Sequence, residues 1–115
     1  MIKPLFIIVG IALFAGCGSD AATEPGVKVF KSRGSVQCTA GGTAPEVMRD
    51  QLVNAGIEVR SFSCGFDGMN YPAVCGAPDG AINIFEIPQS KVSQAESLGF
   101  AGLSTLPNAQ ETPCR

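Results

Sequence analysis

The first seventeen residues constrain this chain most. Met1-Ile2-Lys3 supplies a short positive region, residues 5–15 are uncharged and almost wholly apolar, and Gly16-Cys17 follow. A helix needs about 18 or more consecutive apolar residues to cross a bilayer, so the run is too short to serve as a transmembrane anchor. A positive start, an apolar block and small residues in that order form the layout of a secretory signal. The rest of the 115 residues has room for one small exported domain.

Leu13-Phe14-Ala15-Gly16-Cys17 resembles the lipobox of bacterial lipoproteins, in which Leu, then Ala or Ser, then Gly or Ala, precede an acylated Cys. Phe14 stands where Leu is commonest, with Leu13 one place earlier. The resemblance implies thioether attachment of a diacylglycerol to Cys17, cleavage between Gly16 and Cys17, and acylation of the new amino terminus. The fallback is a simple secretory signal that leaves Cys17 as a thiol. Each buried methylene contributes about 0.8 kcal/mol, and one myristoyl chain binds only marginally, so two or three chains hold a protein essentially permanently. By analogy with enteric bacteria, Gly18 after the acylated Cys implies sorting to the outer membrane, facing the periplasm.

Charge narrows the partners. Loss of Lys3 with the leader takes the formal charge from −2 to −3. Nucleic-acid binding needs a Lys/Arg stripe that displaces counterions, and the sequence has none. It also lacks a polybasic patch for an anionic membrane surface. The expected partner is therefore the membrane, through acyl chains on Cys17, and no nucleic acid.

Three segments follow: residues 1–16 as cleaved signal, 17–26 as acylated Cys and tether, and 27–115 as the domain. The tether, GSDAATEPG, is small and polar, with a random-coil reach of about 15–18 Å. Val27-Lys28-Val29-Phe30-Lys31 alternates as a strand does. Thr43-Ala44-Pro45-Glu46 reads as a capping box. Val47, Met48, Leu52 and Ala55 form one apolar face of a helix over 44–55, and Gly56 suits a left-handed cap. Residues 57–62 alternate again, which predicts a β-α-β unit with parallel strands. Residues 63–80 read as loop. Ile82, Ile84, Phe85 and Ile87 predict a third strand stopped by Pro88. Ser90 then caps a short helix ending at Gly99, and the tail from Gly102 is expected to be irregular. The predicted fold class is α+β: a small three-stranded mixed sheet in the order β-α-β-β-α, with two packed helices and two disulfides.

With Cys17 acylated, Cys38, Cys64, Cys75 and Cys114 remain, an even number in an exported chain, which predicts two disulfides. In a β-α-β unit both parallel strands end on one edge, so Cys38 and Cys64 are expected to meet there, leaving Cys75 with Cys114. Direct Cys64–Cys75 closure is the rival. No metal and no cofactor is expected, because the chain has no His and no closely spaced ligand pair. The Asp67-Gly68 and Asp79-Gly80 steps read as turns rather than calcium loops.

Lack of His also excludes His-based triads and acid–base chemistry. The expected function is that of a membrane-anchored envelope lipoprotein whose domain is a non-enzymatic binding or structural module. Two alternatives stand beside it. Residues 64–75 (CGFDGMNYPAVC) resemble the Cys-Gly-x-Asp-Gly-x-Thr-Tyr core of Kazal-type protease inhibitors, which implies an enzyme inhibitor. Asn70 replaces the Thr and the six-cysteine framework is missing; the plain alternative is a turn with Tyr71 packed inward. The order strand, Cys38 loop, helix, strand is similar to the front half of thioredoxin folds, which implies a thiol-disulfide oxidoreductase using Cys38.

Overall fold

A computed structural model describes Gly10 and residues 24–114 of the chain. The expectations placed on the leader and on Cys17 lie outside the described residues.

The central element is β3 (Ala81–Pro88). Its run Ile82, Asn83, Ile84, Phe85 and Ile87 is buried throughout, because both faces of this strand are covered. That accounts for a mostly apolar run where a half-exposed strand would alternate. β1 (Gly26–Ser32) pairs antiparallel along one side of it, from Gly26↔Pro88 to Ser32↔Ile82. β2 (Ser61–Phe66) pairs antiparallel along the other, from Ser61↔Glu86 to Phe66↔Ala81. β4 (Ala101–Gly102) joins the outer edge of β1, and β5 (Gln110–Thr112) the outer edge of β2. The result is a five-stranded sheet in the order β4-β1-β3-β2-β5, antiparallel at every ladder.

This corrects the expected three-stranded mixed sheet. β1 and β2 do run parallel to each other, but β3 is inserted between them. The supposedly irregular tail supplies both edge strands. These are two and three residues long, and β5 is exposed at every position, so neither carries a burial period.

The helices α1 (Pro45–Asn54) and α2 (Val92–Ser97) cover one face. Met48, Leu52 and Ala95 pack there against Val29, Phe85, Ile87, Ile57 and Phe100. The Phe85 and Phe100 rings meet edge-on at 5.8 Å. α1 begins one residue later than expected, with Ala44 as an extended N-cap and no side-chain cap. Thr43 is held otherwise: its N–H donates to Arg33 O, and its carbonyl accepts from the buried Asn83 Nδ2 at 3.0 Å. At the other end Gly56 takes a φ of +82°. Ile57 N–H then donates to Leu52 O, and its side chain enters the core. Residues 57–60 therefore alternate because they line the exit from the helix, and the second strand starts four residues further on. Lys31 secures the end of α2, donating to Leu98 O and lying 5.2 Å over the Phe100 ring.

The opposite face carries Ile82 and Ile84, each only 1% exposed. β4 and β5 lie at opposite edges, so residues 103–109 must traverse the sheet, about 19 Å at ordinary strand spacing. They cross on this second face, where Leu103, Leu106 and Ala109 line a shallow groove with Lys28 and Glu111. Lys28 and Glu111 form an ion pair there at 2.7 Å.

Candidate functional site

The sheet has two unlike ends, separated by about 20 Å, the length of β1 at ordinary strand rise. At the end where β1 begins, the chain arriving from the amino-terminal side is fastened down. Glu24 accepts from Ser90 through both its backbone N–H (3.1 Å) and its hydroxyl (3.0 Å). Arg60 donates to Glu24 O, and Gln89 N–H to Pro25 O. Ser90 is therefore itself capped, by Glu24, rather than acting as the cap of α2. These Ser90 hydrogen bonds, with Arg60 and Lys91 nearby, hold the Glu24 carboxyl below its usual range.

At the far end lie the loops and one of the two disulfides, while the other sits part-way along β2. Cys38 is bonded to Cys75 and Cys64 to Cys114, with Cα separations of 5.2 and 4.9 Å. Both the expected pairing and its rival are overturned. Cys64 sits inside β2 rather than past it, paired with Asn83 of β3 on one side and Thr112 of β5 on the other. The intervening β3 keeps it from Cys38, while β5 brings Cys114 alongside. Cys38 instead joins the loop 67–80. Gln37 zips the same two loops together, donating from its side chain to Pro72 O (2.9 Å) and Pro78 O (3.2 Å). The two ends of the Kazal-like stretch thus belong to different bridges.

The Asp-Gly steps are turns. Asp67 accepts from Met69 N–H at 2.9 Å and from the Tyr71 hydroxyl at 2.6 Å, and that second bond raises the tyrosine's pKa. Asp79 Oδ1 accepts from Ser35 Oγ at 2.8 Å and Ala81 N–H at 2.9 Å. Partial desolvation pushes the Asp79 carboxyl up. The Ala81 and Ser35 hydrogen bonds, with Arg33 nearby, outweigh it and leave the group below the carboxylate range.

Between these loops and the start of α1 the helix-covered face opens into a notch of about 710 Å³. Register defines it. Arg33 follows β1 directly, and its N–H donates to Ala81 O. Phe66 pairs with Ala81 from the other side. Arg33, Ala81 and Phe66 thus form one row across three strands, with two bulky side chains flanking a methyl group. At a spacing near 4.8 Å per strand the walls stand about 10 Å apart. Pro45 and Glu46 close the helix side, and Thr112 and Pro113 the tail side. The Arg33 backbone is fixed: Thr43 N–H donates to its carbonyl, and a Cβ on Gly42 would come within 2.4 Å of that oxygen. Arg33 Nε is buried and has no hydrogen-bond partner among the described residues, whereas half of Phe66 is exposed.

Cysteine arithmetic located the four bonded sulfurs but not this notch. Arg33 lies two residues past the predicted end of β1. Extending the period of two from Val29 and Lys31 would have put it on the helix-covered face.

Comparison of the chain with protein-family models, with curated proteins and with solved structures found no match.

Proposed function

We propose that this protein is an exported lipoprotein, held to a membrane by acyl chains on Cys17, whose domain is a non-enzymatic binding module. The observation that carries the reading is the use of cysteine. All four cysteines downstream of residue 17 are consumed in two disulfides. That leaves Cys17, at the lipobox-like boundary of an apolar leader, as the odd sulfur of the five. Disulfides of this kind belong to oxidising compartments, where an exported chain resides.

The shape of the domain suits such an anchor. Glu24 and Pro25 fasten the incoming chain at one end of the sheet, and the disulfide-bonded loops and the notch occupy the other. A membrane-held domain would present its notch outward. The outer membrane, with the domain facing the periplasm, is the address that Gly18 favours.

Replacing Cys17 by Ser in the full chain and following it in cells tests the anchor. Wild type is expected in the detergent-soluble membrane fraction and C17S in the aqueous fraction. Equal partition of the two would refute it.

A further inference from the structure

We propose that the notch bounded by Arg33 and Phe66 binds a single carboxylate carried on an apolar group, such as the carboxyl terminus of a peptide ending in an apolar residue. This rests on the binding-module reading and names its ligand class.

Arg33 supplies the polar half. Its Nε is buried without a hydrogen-bond partner among the described residues. Leaving such a donor unpaired is costly, and turning the side chain into the notch it lines, onto an arriving acceptor, recovers that cost. A guanidinium matches the two oxygens of a carboxylate in a fork, and charge-assisted bonds of this type are about twice as strong as neutral ones. Asp79, the carboxylate whose field reaches Arg33, is already engaged by Ser35 and Ala81, and it is not among the residues that line the notch.

Phe66 supplies the apolar half. This residue is 50% exposed at the end of β2, across the Ala81 floor from Arg33. Pro45 and Pro113 extend the apolar wall on either side. A ligand whose carboxylate meets Arg33 can therefore lay an adjoining side chain against Phe66. Glu46, on the helix-side rim, sets the limit on charge. It repels a second acidic group, so monocarboxylates are preferred to dicarboxylates.

The test uses the protein as recovered from cells, in mild detergent, titrated with N-acetyl-phenylalanine and with its carboxamide while amide resonances are followed. The acid should shift the Arg33, Ala81 and Phe66 resonances, and the carboxamide should bind at least tenfold more weakly. The R33Q and F66A variants, each checked for a folded spectrum, should both weaken acid binding. Should R33Q fail to fold, the acid–carboxamide comparison on wild type decides alone. Equal affinity for the two probes, undiminished binding by folded R33Q, or no shift at those residues at millimolar acid would overturn the proposal. Intact mass of the same preparation keeps the two readings apart. Acid binding by a non-acylated chain refutes the anchor and upholds the notch, while an acylated chain blind to the acid does the reverse.

Discussion

Lys28 Nζ lies 2.7 Å from Glu111 Oε1, so a charge on β1 is joined to the edge strand β5 across the two strands between them. Glu111 also accepts a short hydrogen bond from Ser63 Oγ on β2. One carboxylate thus gathers three strands over Ile84, and the segment that closes the sheet's second face ends at it. Exposed pairs of this kind contribute about 0.2–1 kcal/mol. The tail therefore needs more than this clasp, and the Cys64–Cys114 bridge supplies it.

Removing that bridge should be costly. It closes a loop with a sequence separation of 50 residues, for which the chain-entropy estimate is about 4 kcal/mol. A C64S/C114S double variant should lose roughly that much in urea unfolding. It should also lose hydrogen-exchange protection at Ile82 and Ile84 before Phe85. Uniform loss across β3 would contradict the strap.

The two bridges should differ toward reductant. Both Cys38 and Cys75 are exposed, while Cys64 and Cys114 are half-buried. Thiolate attack requires access to a sulfur, so low dithiothreitol without denaturant should open Cys38–Cys75 first. Differential alkylation with peptide mapping reads the order, and prior opening of Cys64–Cys114 would contradict it.

At Gly65 the edge strand β5 leaves no room for a side chain. A Cβ there would meet Gln110 O at 2.1 Å, so G65A must push the edge strand away. The expected loss is about 1–3 kcal/mol by thermal unfolding, within the range for overpacked sites. An unchanged midpoint would mean that β5 is not seated as described.

Acid should loosen the same clasp. The Lys28 and Ser63 hydrogen bonds hold the Glu111 carboxyl below its ordinary value of 4.5. The unfolded chain therefore binds the proton more tightly than the folded one. This contribution is complete above 4.5 and disappears as pH falls through the lowered folded value. At the alkaline limit Lys28, raised mainly by the Glu111 hydrogen bond, stabilises fully below 10.5 and less as pH rises through its folded value. E111Q should flatten the acid limb of the urea midpoint against pH. A limb as steep as that of wild type would contradict the assignment.

Legibility followed the strength of the local period. β1 and β3 could be read because Val29, Ile82, Ile84, Phe85 and Ile87 are buried residues in regular register. The helix over Met48 and Leu52 could be read because both face the core. Edge strands of two and three residues leave no such trace. Ile57 and Val59 imitate a strand because they pack under the helix exit. The expected disulfide pairing fails for one topological reason: sequence order does not reveal that β3 enters between β1 and β2. The notch is not legible in the sequence for the same reason, since Arg33 and Phe66 face each other only across Ala81.

The most direct measurement is the intact mass of the protein recovered from cells, with peptide mapping under non-reducing conditions. The prediction is a chain starting at Cys17, heavier by its acyl groups, with Cys38 bridged to Cys75 and Cys64 to Cys114. A chain that starts at Met1, carries no lipid and partitions into the aqueous phase would contradict the account.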